Sequence, residues 1–412
     1  MGKAFKVVYS PDNWNAPNGG VATQWSTPYG GFHSQMPENM IGPMYSPFMS
    51  NIMLRNGELR TRPIFRQLFP GPDGNNPILG CGSFLSNNQI WHTFCFTTRG
   101  LWQLSQDWQN IINAGKNPWI LLGGTLDATP VAWIALQGIL YFSNTVPHLL
   151  AWDGKASQPL ADVSFAGTVN PPPPGTITSG GLFLGELDNH IIVAYQNAQL
   201  ANGSRERLPV RVAWSNSGFN PTLNGVFGAN LGTVGATFDE FVNVNAGFND
   251  FLDVPDIITG LVTLGQDGYV FRQNGITKMT PTGQGVAPFD FNHLWSSQNG
   301  IGNVYPYSIA SYGNTAIFIS FEQIYQITPG GMSPIGGGAR DQILADLAAC
   351  VAPPRASIDR GFQLGVSYLH YHLRIPQVNG TKSWVYSMED NNWSPWFETN
   401  VWPSAGPNEC WV

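Results

Sequence analysis

The chain predicts an all-β protein: a β-propeller of about six blades, with one larger insertion and an extended N-terminal arm. Three observations predict it. The first is composition. Of 412 residues, 42% are apolar and 13% aromatic, but only 11% are charged, against roughly 25% charged in ordinary globular chains. With 47 glycines and 32 prolines, this excludes coiled coils, helical bundles and charge-rich disordered chains. The second is an internal repeat. The third is the scarcity of helical periodicity.

The repeat is an apolar strand, a Gly, Asp or Asn turn, an aromatic-rich strand, a second turn and a third short strand. Clear copies cover residues 131–155, 258–283, 308–331 and 364–393, and weaker copies cover 84–104 and 182–218. Central turns are expected near Asn88, Gly138, Asp188, Asp267, Gly313 and Leu369. Four of the five intervals are close to fifty residues, and one is about thirty longer. A period of 40–50 residues with several short strands is the mark of a propeller. The long interval places an insertion around 216–256.

The remaining elements follow in chain order. Residues 1–49 are rich in proline and show no periodicity, so they read as an extended arm that lies on its own propeller or on a neighbour. Its Trp14, Trp25, Met36, Met40, Met44 and Phe48 are candidate subunit contacts. Residues 50–412 make the propeller, and 50–66 form a hairpin-like segment expected to close the last blade beside 396–412. Ser105–Ala114 suggests one or two helical turns. Pro171–Pro174 is a stiff spacer between blades. Gln266-Asp267-Gly268 reads as a hairpin turn with positive φ at Gly268. Ala316–Phe321 is continuously apolar, as in a strand buried on both faces. Ala339–Ala352 carries Ile343, Leu344, Leu347 and Val351 at helical spacing and stops at Pro353-Pro354.

Charge narrows the functional classes. The net charge of −7 argues against a protein that grips nucleic acid by neutralising phosphates. Residues 1–70 hold six basic and three acidic residues, and no basic residue occurs between Arg211 and Arg272. Asp239, Glu240, Asp250, Asp253 and Asp256 fall in that gap and are the candidate lining of an acidic channel. The four cysteines, Cys81, Cys95, Cys350 and Cys410, form no CxxC pair, so free thiols are expected rather than zinc or a disulfide scaffold. The start lacks the apolar stretch of a signal peptide, and no apolar run approaches the roughly 20 residues of a membrane helix. Synthesis in a cytoplasm, without a membrane partner, is expected.

Catalytic patterns are sparse. There is no GxSxG, HExxH or P-loop, and Gly331–Gly338 lacks the Lys-Ser/Thr ending that phosphate binding needs. His370 and His372 lie two apart on an expected strand and so share a face, but no third metal ligand is placed. The Asn249–Asp256 segment does not match an EF-hand loop. No cofactor and no enzymatic activity are expected. Trp384, Trp393, Trp396, Trp402 and Trp411 suit core and interface packing, with stacking on a glycan as the alternative. That alternative would make the chain a receptor-binding propeller, or less readily a polysaccharide-degrading enzyme.

Several strings carry a resemblance. They are Arg211-Val-Ala-Trp-Ser-Asn-Ser-Gly218, Asp256-Ile-Ile-Thr-Gly-Leu261, Asp267-Gly-Tyr-Val-Phe-Arg272 with Ile276-Thr-Lys-Met279, Ser308-Ile-Ala-Ser-Tyr-Gly-Asn314 and Ile324-Tyr-Gln-Ile-Thr328. In that order, with Leu54-Arg-Asn-Gly-Glu-Leu-Arg-Thr-Arg-Pro63, the chain resembles the propeller proteins of tailed-bacteriophage tails, the packaged-DNA stabilisation and tail nozzle proteins. The resemblance covers about residues 50–400. It implies a structural virion protein in the tail, a homo-oligomer commonly of six subunits in a ring. Its neighbours would be the adaptor or portal side of the tail and its fibres or needle. The ring would form part of the DNA ejection channel, retain packaged DNA, and touch double-stranded DNA only transiently and without sequence preference.

Overall fold

The computed structural model of the protein describes residues 31–32, 45–46, 52–55, 58–61, 71–74, 76–155, 161–162, 176–200, 202–215, 246–252, 256–284, 287–295, 300–363 and 366–399. Two small elements come first. The strands β1 (Gly31–Phe32) and β2 (Tyr45–Ser46) pair in parallel, and β3 (Ile52–Arg55) and β4 (Glu58–Thr61) form an antiparallel hairpin.

Six four-stranded antiparallel blades follow. Blade one is β5 (Gly80–Leu85), β6 (Trp91–Thr97), β7 (Gly100–Leu104) and β8 (Trp119–Gly123). Blade two is β9 (Ala132–Leu136), β10 (Ile139–Ser143), β11 (Leu150–Trp152) and β12 (Ala161–Asp162). Blade three is β13 (Thr176–Leu187), β14 (His190–Leu200), β15 (Arg205–Trp214) and β16 (Gly247–Asp250). Blade four is β17 (Ile258–Leu264), β18 (Asp267–Arg272), β19 (Ile276–Pro281) and β20 (Phe289–Trp295). Blade five is β21 (Ala310–Tyr312), β22 (Thr315–Ile319), β23 (Ile324–Thr328) and β24 (Gly331–Pro334). Blade six is β25 (Arg355–Gln363), β26 (Val366–Gln377), β27 (Gly380–Ser387) and β28 (Asn392–Thr399). The protein is therefore a six-bladed β-propeller.

The first strand of each blade is the innermost, and these strands approach one another around the axis. The second strands of blades two and five are apolar on both faces because each blade is packed between two others. Every residue of β10 is buried, and Ala316, Ile317, Phe318 and Ile319 of β22 are 0% exposed. Among the described residues five apolar seams join successive blades. Phe96 packs on Phe142 across blades one and two, with ring centroids 4.8 Å apart. Tyr141 and Val193 share the seam of blades two and three, and Trp214 meets Phe289 at that of blades three and four. Phe271 lies 5.0 Å from Phe318 between blades four and five. The fifth seam, between blades five and six, is capped by a helix.

Among the described residues two helices interrupt the strands, α1 (Trp108–Asn113) and α2 (Arg340–Ala348), the second entered through a 3-10 turn at Gly337–Ala339. Ile343 and Leu347 of α2 lie one turn apart and pack on Ile319, Leu373 and Trp384.

The structure corrects four sequence expectations. The first strand of blade six is Arg355–Gln363, and Leu369 sits inside β26 opposite Arg360 rather than at a turn. The string Arg-Ala-Ser-Ile-Asp-Arg is too polar to read as a strand, yet it is the innermost one. In blade four the turn is Gly265-Gln266: φ is +67° at Gly265, while Gly268 lies in the strand opposite Met279. Blade six takes all four of its strands from 355–399. The β3–β4 hairpin lies beside β28 as a separate sheet and completes no blade. Lastly, Cys81 is disulfide-bonded, while Cys95 and Cys350 carry free thiols. Pairing depends on distance in the fold, which spacing in the chain does not reveal. The arm contacts Trp14, Trp25, Met36, Met40, Met44 and Phe48, most of the 216–256 insertion and the Pro171–Pro174 spacer lie outside the described residues. No helix among the described residues is long and apolar enough to cross a membrane.

Candidate functional site

The convergence of six inner strands leaves an axial cavity of about 440 Å³, within the range of small-molecule pockets. Its walls are largely apolar: Leu79, Val131, Leu182, Leu261 and Ile309 come from successive blades or the segments just before their first strands. Gly260 on β17 shows how close the inner elements come, since a Cβ there would lie 2.2 Å from Ile309 Cδ1.

Blade six contributes differently. Arg355 on β25 and Arg374 on β26 both line the cavity, and they are direct cross-strand partners. Like charges placed opposite one another destabilise a sheet. The described residues that line the cavity include these two cations and no carboxylate. Arg355 Nη1 donates to the Ile78 carbonyl at 3.5 Å. Burial lowers the Arg355 pKa, with Tyr307 opposing and the Arg374 charge reinforcing the shift.

Tyr307 closes the wall beside Arg355. Its φ is +70°, a left-handed conformation that is strained for an aromatic residue. The surroundings hold it there. The Ala356 amide donates to the Tyr307 carbonyl at 2.9 Å. The next residue, Ser308, is fully buried and bonded to Asn303, and the Tyr371 hydroxyl donates to its carbonyl at 2.7 Å. Burial also raises the Tyr307 hydroxyl pKa, against the pull of Arg355.

The polar face of blade six continues outward from the cavity. Strand alternation puts Arg355, Ser357 and Asp359 on one face, opposite Arg374, His372 and His370. His372 Nε2 lies 3.1 Å from Asp359 Oδ2. Burial, then Arg374 and His370, hold His372 well below its ordinary pKa. The neutral ring therefore donates Nε2–H to the carboxylate. Burial raises the Asp359 pKa, with Arg374 opposing. His370 and His372 do share a face, but what His372 meets is a carboxylate, and no group of three metal-ligating side chains occurs among the described residues.

The candidate acidic lining divides. Asp239, Glu240 and Asp253 lie outside the described residues. Asp250 forms a two-pronged ion pair with Arg211, at 2.6 Å from Nε and 2.5 Å from Nη2, and the guanidinium stacks 4.4 Å from the Phe248 ring. Asp256 is corrected outright as a lining residue. It is 2% exposed, and its carboxylate accepts both the backbone and side-chain N–H of Asn274, holding the β18–β19 turn. Trp384, Trp393 and Trp396 are buried to 3% exposure or less, which removes them as stacking platforms for sugars. Trp402 and Trp411 lie outside the described residues.

Sequence reading singled out neither arginine of the cavity. A signal was available: extending the His370, His372 alternation by two residues reaches Arg374. Its partner Arg355 became visible only once the β25–β26 register was known.

No family model matches the chain, and no curated protein matches it. Solved structures do. A quinonprotein alcohol dehydrogenase-like protein from Bacteroides thetaiotaomicron is 10% identical, over 80% of this chain and 68% of that one, with a TM-score of 0.38. The extracellular domain of a hybrid two-component system from the same organism is 8% identical over 82% of this chain, with a TM-score of 0.41, and the match spans only 36% of that longer chain. Apo AztD from Citrobacter koseri is 10% identical, over 76% of this chain and 84% of that one, with a TM-score of 0.33. These likenesses concern the fold and carry nothing about activity.

Proposed function

We propose that the chain is a structural subunit of a bacteriophage tail, a nozzle or hub protein that forms part of the DNA ejection channel and helps to retain packaged DNA. The observation that carries this reading is where the resembling strings lie. Five of them overlap β15, β17, β18, β19, β21 and β23, and Leu54–Pro63 overlaps the β3–β4 hairpin, so the likeness resides in scaffold strands, chiefly of blades three to five, rather than in a reactive site. The low charge and the tightly joined blades suit a part that must stay rigid inside an assembly.

In this reading the duplex runs past the propeller, not along its axis. A B-form major groove alone is roughly 12 Å wide, whereas the axial cavity among the described residues holds only about 440 Å³. The channel is the hole of a ring of subunits, with six as the expected number. Adaptor or portal-side proteins lie above the ring and fibres or a needle below. A net negative surface lets DNA slide, because it offers phosphates few cations to hold them.

The test is electron microscopy of intact particles carrying a labelled copy, alongside the purified protein. A label on the tail axis and ring-shaped oligomers are expected. A label on peripheral fibres, or on no particle, would overturn the proposal.

A further inference from the structure

Trp384, Trp393 and Trp396 are buried, but Trp91 is not. It is 64% exposed at the first residue of β6, on the end of blade one made by the β5–β6 turn. Among the described side chains it is the one exposed tryptophan. An indole left in water forgoes the burial that makes tryptophan useful to a scaffold. Its seat is rigid. Leu85 stands directly opposite Trp91 in the β5–β6 register and so on the same face. The Ser86 amide and hydroxyl both donate to the Ile90 carbonyl, at 3.0 and 3.2 Å, and the Gln89 amide donates to the Ser86 carbonyl at 2.9 Å. From the connection of β7 to α1, Gln106 Nε2 donates to the Trp91 carbonyl at 2.9 Å. The exposed polar side chains of these two segments are almost all carboxamides: Asn87, Asn88 and Gln89 on the turn, and Gln106, Gln109 and Asn110 on the connection. Across 85–91 and 105–110 the one exposed ionisable group is Asp107, whose carboxylate accepts Asn110 Nδ2 at 2.6 Å.

We propose that this end of blade one binds a neutral oligosaccharide, with one pyranose ring stacked by its C–H face on the Trp91 indole and its hydroxyls bonded to neighbouring carboxamides. A sugar ring offers an apolar C–H face and a rim of hydroxyls that donate and accept. The indole complements the first. A carboxamide, which also donates and accepts, complements the second. The near absence of charge disfavours a phosphate, a uronate or a nucleic acid, each of which is held by cations. A protein-docking patch would centre on a wider apolar core, whereas six carboxamides accompany Leu85, Ile90 and Trp91 here. Because the turn and the connection are already tied together, little ordering remains to oppose binding. The inference is independent of the tail reading, which rests on other blades, and either can fail alone.

The test is calorimetric titration of the full chain with cellohexaose, chitohexaose and maltohexaose, against the anionic hexagalacturonate. Saturable binding of at least one neutral hexasaccharide is expected, at least tenfold tighter than that of hexagalacturonate. The three differ in linkage and substituent, so their order identifies the class of sugar. Trp91→Ala changes an exposed side chain and leaves the fold intact, and it should weaken binding tenfold or more. Trp91→Phe keeps a smaller ring and should weaken it less. With fluorotryptophan in the chain, the fluorine resonance missing from Trp91→Phe should be the one that shifts when the sugar is added. No binding of any neutral hexasaccharide by the wild type, equal binding of hexagalacturonate, full binding by Trp91→Ala, or a shift confined to other tryptophans would each overturn the proposal. So would oligomers that dissociate in Trp91→Ala while the wild type binds no sugar, which would assign the patch to subunit packing.

Discussion

Asp346 shows how much one buried carboxylate can hold. Its Oδ2 accepts the Trp384 indole N–H at 2.7 Å and pairs with Lys382 Nζ at 2.6 Å, and Gln342 reaches its Oδ1 at 3.4 Å. Three polar groups thus converge on a side chain that is 9% exposed. Asp346→Ala leaves Trp384 and Lys382 without their acceptor, and the expected loss is about 2–3 kcal/mol. Asp346→Asn keeps an acceptor for Trp384 but no charge for Lys382, so it should lose less. Urea unfolding of the two variants checks the order. The same logic explains why Asp256 lines no channel and why Asp250, its side chain 23% exposed, is held in an ion pair. An acid-rich stretch reads as a solvated surface, but each of these carboxylates has a neighbouring donor set that only folding brings to it: Arg211 from the adjacent strand, and the Asn274 amides from a turn.

At the scale of elements, α2 is a plug rather than a connector. It is short, its first residue lacks a side-chain cap, and an isolated helix of this length is not stable in water. Its stability comes from Ile343 and Leu347, both 1% exposed or less, set into the seam of blades five and six. Leu347→Ala should therefore cost about 3 kcal/mol through lost burial and a cavity. Val351→Ala, at a residue 59% exposed just past the helix, should stay within about 0.5 kcal/mol. Thermal unfolding of both variants separates the plug from its tail. Strand β25 teaches the converse. It has weak strand character by composition and is held in place by pairing along its whole length with β26. A polar segment becomes the inner wall of a blade because its neighbour is a strong strand and the ring leaves it no other place.

The whole ring is uneven. Five seams are apolar, but the face of blade six turned away from blade five presents Ser383, Ser387, Ser394, His370 and His372 in register, all buried, with Trp396 and Val385 as a small apolar pair among them. This gives the fold a pH dependence. Burial lowers the pKa of His92, His190 and His372 below 6.5. Between each folded value and 6.5 the unfolded chain binds more protons than the folded one, so stability is complete above about pH 7.5 and falls as pH drops through 6.5. A histidine kept neutral throughout costs about 1.4 kcal/mol at pH 5.5. Asp359 and Glu186 act in the opposite sense, because burial raises both pKa values and protonation then favours the fold. The histidines prevail between pH 7.5 and 5.5, where they titrate in the unfolded chain. Urea midpoints across that window should fall towards acid. A flat or rising profile would show that the buried carboxylates outweigh them.

Some of the protein was legible in its residues alone. The near-fifty-residue repeat, the doubly apolar strands such as Ala316–Ile319 and the helix ending before Pro353 are local patterns, written by burial on neighbouring turns and strands. They were enough to yield a propeller of about six blades. The cavity, the Arg355–Arg374 pair, the Cys81 disulfide and the burial of Asp256 were decided by tertiary structure. Each depends on groups from separate strands or turns meeting across a sheet or around an axis. Distance in sequence does not encode that meeting, and the low-dielectric interior that gives those groups their chemistry exists only once the ring has closed.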